Sequence, residues 1–216
     1  MNIIEVNGVA KRFKDQTVLK ETTISFEAGK IHGIIGMNGS GKTVFLKLLC
    51  GLLRPSAGTV TVCGKTLGKD SDFAPDTGIL IETPGFLPYK SGRGNLWDLA
   101  LIRRAVGKDK IVETMRTVGL DPDNKKWVGK YSLGMRQRPG IAQAIMEDPA
   151  LLLLDEPMNG LDKQGCQDMR SLFLGLRDSG KTIIMASHVA EDVHILCDTV
   201  CEMDGGVLSK IRGWGN

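Results

Sequence analysis

Residues Gly36-Met37-Asn38-Gly39-Ser40-Gly41-Lys42-Thr43 obey the pattern G-x-x-x-x-G-K-S/T, and they constrain the fold more than any other segment. The preceding run Ile31–Ile35 is apolar at nearly every position, as a strand buried on both faces is. After it, Val44, Leu46, Leu48 and Leu49 fall near the ~3.6-residue spacing of a helix face, and Gly51 stands where a C-terminal cap is expected. A buried strand that passes through a glycine turn into a helix is the context a phosphate-binding loop requires. The glycines let successive N–H groups point inward at phosphate oxygens, and the helix N-terminus adds about half a positive charge at the same spot. Lys42 is placed to neutralise the β and γ phosphates, and Thr43 to offer its hydroxyl to Mg²⁺. Gly36 through Val44 is therefore the candidate nucleotide-binding segment. By itself it does not separate transporters, kinases and GTPases.

The rest of the chain alternates in a way that predicts an α/β fold. Residues 2–7 and 21–26 alternate apolar and polar positions, residues 58–63 read as a further strand, and a polar connection over 67–77 leads into an apolar strand over 78–81. From Pro84 to about Met146 strand signals nearly vanish, and helices are expected over 92–106 and 109–118. Strand and helix alternation resumes at Leu151: apolar runs at 151–154 and 182–186, helices near 165–178 and 189–196, and short strands near 198–203 and 206–210. Buried strands separated by crossover helices predict a mostly parallel sheet. No internal repeat or low-complexity tract interrupts the pattern.

The run Leu151-Leu152-Leu153-Leu154-Asp155-Glu156-Pro157 sets two acids at the C-terminal end of a buried strand, where parallel sheets bind their ligands. Burying them with no cation nearby is costly. Asp155 is read as a holder of the Mg²⁺ shell, and Glu156 as the group that polarises the attacking water, a role worth about 10²–10⁴-fold.

Composition excludes other classes. The 28 Lys and Arg against 25 Asp and Glu leave a net charge of +3, too small and dispersed for a nucleic-acid surface. Five cysteines, an odd number without a CxxC pair, suit buried thiols in a reducing compartment. His194, Cys197 and Cys201 could be drawn as a metal cluster, but a structural zinc site needs a fourth ligand. No apolar run approaches the ~20 residues that cross a bilayer and no basic n-region opens the chain, so the expectation is a chain neither secreted nor membrane-spanning on its own.

The segment Tyr131-Ser132-Leu133-Gly134-Met135-Arg136-Gln137-Arg138 resembles the family signature LSGGQ with its x-Q-R tail, and departs from it at Tyr131, Leu133 and Met135. With the phosphate loop and the Asp155-Glu156 pair in this order, essentially the whole chain resembles the ATPase domain of ABC transporters. The resemblance implies one domain over residues 1–216: a RecA-like P-loop NTPase core with an antiparallel β subdomain and a helical subdomain at about 87–146. It implies an ATPase that uses ATP and Mg²⁺. Ser132 would cap a helix whose outward amides, with Leu133, Gly134 and Met135, close on ATP held by a second subunit in an isologous dimer. Phe13 matches the aromatic that stacks on adenine, Asp162 in Asn159-Gly160-Leu161-Asp162 matches the acid of the interface loop, and His188 matches the switch histidine beside the γ-phosphate.

Two positions depart from the family. Glu82 stands where glutamine is usual; a carboxylate is a harder Mg²⁺ ligand, so Thr43, Asp155 and Glu82 are the expected metal set. With Pro84-Gly85-Phe86 and Pro88-Tyr89 beyond it, Glu82 resembles the cassettes of exporters that confer lantibiotic immunity or bacitracin resistance. Pro139 would fall inside the signature helix, where a lost hydrogen bond costs about 3 kcal/mol; either the helix kinks or the signature weakens and turnover falls. The partners implied are a second copy of this chain rather than a different cassette, and integral membrane permease subunits whose cytoplasmic helix enters a groove formed by a helical segment around Glu82–Tyr89. The place implied is the cytoplasmic face of the membrane. Two alternatives stand beside this reading: a soluble ABC ATPase acting on ribosomes or DNA, and a hydrolysis-impaired half of a heterodimer.

Overall fold

The computed structural model describes residues 1–82, 84–211 and 214. Two sheets share the chain. In the first, β1 (Asn2–Phe13) and β2 (Gln16–Glu27) form a long antiparallel hairpin, and β1 pairs on its other side with β4 (Ala57–Val62), which carries the short β5 (Lys65–Thr66). Both hairpin strands outrun the stretches of clean alternation. Register shifts between Val6 and Lys11, with Gly8 in the left-handed region at φ 58, let β1 bend and go on pairing after its alternation breaks.

The second sheet contains β3 (Ile31–Ile35), β6 (Thr77–Leu80), β7 (Leu151–Asp155), β8 (Thr182–Ser187), β9 (Thr199–Asp204) and β10 (Val207–Lys210), in the order β10-β9-β3-β8-β7-β6. All its pairings are parallel except β10 on β9. The helices are α1 (Lys42–Cys50), α2 (Gly92–Arg103), α3 (Lys108–Thr117), α4 (Leu133–Ile145), α5 (Lys163–Asp178) and α6 (Ala190–Leu196). Gly51 caps α1 at φ 84, as the sequence predicts.

Because side chains alternate across a strand, β7 serves two cores. Leu152 and Leu154 pack with Met169 and Phe173 of α5. Leu151 and Leu153 join Phe45 and Leu49 of α1, Val6 of β1 and Val60 of β4. The central sheet is thus covered on one face by helices and on the other by α1 and the antiparallel sheet. Cys197 belongs to the first core and Cys201 to the second, while His194 stacks edge-on against Trp214; the three side chains do not converge. Burial raises both thiols, Cys197 to about 12 and Cys201 to about 11. Cys63, against expectation, is exposed at the turn after β4.

Between β6 and β7 the described residues form helices and loops, with no strand. Residues 84–90 are a loop rather than a helix, since Pro84, Gly85 and Pro88 deny the backbone a continuous ladder. Ser91 then caps α2, accepting from the Gly94 N–H. Helix α4 runs without interruption through the buried Pro139. Glycines set how closely the chain approaches it. A Cβ on Gly78 of β6 would strike the Ala144 carbonyl, and one on Gly140 would lie 2.6 Å from Pro84 Cγ.

Two stability measurements follow from this packing. Gly78→Ala forces β6 and α4 apart and is expected to lower stability by about 1–3 kcal/mol, read as a lower urea midpoint. His32 of β3 is buried; its Nε2–H donates to the Glu27 carbonyl at 2.8 Å and its Nδ1 accepts from Thr199 at 2.6 Å, a neutral ring. Burial holds its pKa below the ordinary value, against the raising effect of the Glu27 carbonyl. The unfolded chain takes up that proton near pH ~6.5 and the folded chain only lower, so stability is lost as pH falls through that window. His32→Gln is expected to remove this acid-dependent slope in denaturant titrations at successive pH values.

Candidate functional site

The parallel strands bring the sequence-predicted residues to one edge. In the registers Ile35 opposite Ser187 and Asp155 opposite Ala186, β3, β7 and β8 end together, so the loop from Gly36, the pair Asp155-Glu156 and His188 all emerge there. Val18, Asn38, Gly39, Lys42, Thr43, Asp155 and Glu156 line the resulting cleft.

The loop is shaped by its glycines. Gly41 sits at φ 111 at the N-cap of α1, and a Cβ there would press to 3.2 Å from the Val18 carbonyl. Lys42 is only 6% exposed. Its ammonium turns back under the loop and donates to the carbonyls of Gly36 at 2.7 Å and Met37 at 3.2 Å. Ser40 Oγ is buried with no hydrogen-bond partner. Met37, by contrast, is exposed.

Asp155 Oδ2 accepts the Thr43 hydroxyl at 2.6 Å. Burial pushes this carboxyl above its usual range; the Thr43 hydrogen bond opposes the shift and the Glu156 charge adds to it. A buried carboxylate beside a hydroxyl and a second carboxylate is a hard-oxygen donor set that a divalent cation would neutralise, and these residues fit Mg²⁺.

Glu156 is clamped in a left-handed conformation at φ 49, a strained backbone of the kind found at functional sites. Its N–H donates to the Ala186 carbonyl at 2.9 Å, and its carbonyl accepts from Gln137 Nε2 at 3.0 Å. On the carboxylate, Oε2 lies 2.9 Å from His188 Nδ1 and 3.4 Å from the His188 N–H. Oε1 is buried without a hydrogen-bond partner, 3.9 Å from Lys42 Nζ. One oxygen is held and the other left available inside the cleft.

Glu82, Phe13, the signature and Asp162 lie apart from this cluster. The Glu82 carboxylate is on Lys47, with Nζ to Oε1 2.6 Å, and not on the Thr43–Asp155 pair. Phe13, 41% exposed, ends β1 outside the cleft, with Lys11 Nζ 4.8 Å from its ring centroid. The signature forms its own surface. Ser132 caps α4, its Oγ accepting from the Met135 N–H at 3.2 Å, and Leu133 stands exposed beside it. Gly134 packs so closely on Gly160 that a Cβ would strike the Gly160 carbonyl. Asp162 Oδ1 accepts from the Gly165 N–H at 2.8 Å and caps α5.

The sequence reading missed Val18 altogether and the contact that Gln137 makes. Val18 carries no signal beyond strand alternation; only the hairpin's return brings it to the loop. Gln137 was legible in the Gln-Arg tail, but its bond to the Glu156 backbone depends on where α4 meets β7. Among the described residues, no helix is long and apolar enough to cross a membrane.

Comparison with known proteins gives a consistent result. Residues 19–159 match the family described as ABC transporter. An uncharacterized ABC transporter ATP-binding protein of Bacillus subtilis, YybJ, is 42% identical over 206 residues, spanning 95% of this chain and 94% of that protein. The bacitracin transport ATP-binding protein BcrA of Enterococcus faecalis is 38% identical over 208 residues, 95% of this chain and 68% of that protein. Among solved structures, a dimeric bacterial ABC transporter cassette superposes with a TM-score of 0.85 at 22% identity, covering 97% of this chain and 99% of that one, which shows the same fold. Identity at the level of the first relative, over nearly the full length of both proteins, reflects descent rather than convergence: the chain belongs to the ABC transporter family, as an ATP-binding subunit and an ATPase.

Proposed function

We propose that the chain powers an exporter of peptide antibiotics or related compounds, hydrolysing ATP at sites shared between two copies of itself. The observation that carries the catalytic part is the Glu156 carboxylate, with Oε2 held by His188 and Oε1 buried, unpartnered and 3.9 Å from Lys42 Nζ. The similarity to bacitracin transport ATP-binding proteins supports the substrate class.

In this reading the amides of Gly36–Thr43 and the Lys42 ammonium, released from its own loop carbonyls, hold the triphosphate. Phe13 offers its ring to adenine. Thr43, Asp155 and Glu82 hold Mg²⁺, which supplies neutralisation of charge on the phosphate oxygens. Glu156 Oε1 accepts a hydrogen bond from the attacking water and takes its proton as the water oxygen bonds to the γ-phosphorus, while the bond from that phosphorus to the β,γ-bridging oxygen breaks and ADP leaves with the bonding electron pair. His188 keeps Glu156 oriented and reaches toward the γ-phosphate. Ser132, Leu133, Gly134 and Met135 present the first amides of α4 to ATP on the opposing copy, with Asp162 and its loop between the two sites. The exposed Leu133 and the capped, outward helix start suit such a contact.

The partners are a second copy of this chain and integral membrane permease subunits. The segment from Glu82 to Tyr89 and the helices over residues 87–146, a helical subdomain within the one domain, meet the permease at the cytoplasmic face. The unbroken course of α4 through Pro139 favours an intact signature over a hydrolysis-impaired one.

Glu156→Gln is expected to slow ATP turnover by about 10²–10⁴-fold while ATP binding persists, and a rate equal to the parent's removes the assignment. The same variant loaded with ATP should sediment as a dimer, and adding Ser132→Arg should return it to monomer. A monomer throughout, at high protein concentration, overturns the shared site.

A further inference from the structure

Helix α1 presents two side chains to carboxylates on one face. Thr43 and Lys47 are four residues apart, one helical turn or ~6 Å along the axis. Thr43 donates to Asp155 Oδ2 at 2.6 Å, and Lys47 donates to Glu82 Oε1 at 2.6 Å. The sheet aligns the two acid-bearing ends in parallel: Leu80 of β6 lies opposite Leu154 of β7, so Glu82 stands two residues beyond that pair on one strand as Glu156 does on the other. Glu82 therefore emerges at the same edge of the sheet as the Thr43–Asp155 pair, but its carboxylate is bonded to Lys47.

Its present place has a cost and a support. The Glu82 backbone is in the left-handed region at φ 59, which a residue with a β-carbon adopts only when its surroundings hold it there. Lys47, 25% exposed against 62% for Glu82, is the more buried half of the pair and stands on the helix that carries Thr43. A glutamine amide at position 82 would be held weakly by an ammonium group. A carboxylate is held by both charge and hydrogen bond, so this chain's departure at 82 makes Lys47 a partner that competes with any cation Glu82 could serve.

We propose that Lys47 is a positioning residue for the metal site: it retains the Glu82 carboxylate on itself and off the Thr43–Asp155 pair, and so weakens and tunes the site's hold on a divalent cation. The inference rests on Glu82 being a metal ligand, as read above. Binding a cation at Thr43 and Asp155 then requires Glu82 to exchange Lys47 for the metal, and the ion pair is subtracted from the affinity.

The test is a titration of the full chain, saturated with a non-hydrolysable ATP analogue, with Mn²⁺ followed by the electron paramagnetic resonance of the free ion. Analogue affinity is measured first in EDTA for each variant, and the analogue is then held at saturation so that Mn²⁺ binding is compared at equal nucleotide occupancy. Lys47→Met should tighten Mn²⁺ binding by about two- to fivefold, the Boltzmann factor of a partly exposed ion pair, and Lys47→Gln should do the same. Lys47→Arg, which keeps the pair, should bind no more tightly than the parent. Glu82→Gln should weaken Mn²⁺ binding, and Lys47→Met added to it should change nothing further. If Lys47→Met has no effect while Glu82→Gln weakens binding, the competition is overturned and the ligand assignment survives. Equal tightening by Lys47→Met with Glu82 or Gln at 82 makes Lys47 a mere through-space repulsion and also overturns it. If Glu82→Gln leaves Mn²⁺ binding unchanged, the ligand assignment falls and the competition with it.

Discussion

The hydrogen bond from the Thr43 hydroxyl to Asp155 Oδ2, at 2.6 Å, joins the helix that follows the phosphate loop to the strand that carries the acids. It exists because β3 and β7 are parallel strands flanking β8, so both release their chains at the same edge of the sheet. An antiparallel arrangement would have sent one of them to the far side. The joint is electrostatically expensive: burial raises the Asp155 carboxyl, and the Glu156 charge beside it raises it further. Lys42 is buried as well and satisfies its ammonium on loop carbonyls. The edge is a place where charges are kept short of solvent, which makes them responsive to an incoming anion and its counter-cation.

Glu156 connects this edge to the helical part of the chain. Its carboxylate belongs to the cleft through His188, and its carbonyl belongs to α4 through Gln137. The helix whose N-terminus Ser132 caps is therefore hydrogen-bonded to the backbone of the residue read as the catalytic base. A second line of contact runs through Gly140, whose missing side chain admits Pro84 and Leu80, so the loop after β6 lies directly on α4. The two segments meet in hard contact, with no room between them for a side chain at position 140. Pro139 sits between these two contacts and is accommodated within an unbroken helix; burial on neighbouring side chains offsets the missing ladder bond.

What could be read before any coordinates differed in kind from what could not. The strand, loop and helix over residues 31–50 were legible because local chemistry dictates them: apolar density, glycines that allow left-handed turns, and a Gly51 cap. Asp155 and Glu156 were legible because two acids closing a run of four leucines have few other uses. The hairpin of β1 and β2 was underestimated, because register shifts keep strands paired after alternation has failed. Ser132 was legible as a cap and caps α4, whereas Asp162, read as the acid of an interface loop, caps α5 within its own subunit.

The linear sequence by itself determined the periodicities, the loop chemistry and the order of motifs, since these depend on residues within a few positions of one another. Only the tertiary structure decided which groups meet: Val18 with Gly41, Gln137 with Glu156, Lys47 with Glu82. Those pairs are separated by 23, 19 and 35 positions in the chain, and no local preference brings them together. The parallel sheet and the helices packed on it set the distances, because the burial of Leu151–Leu154 on two opposite faces leaves one way to align the strand ends.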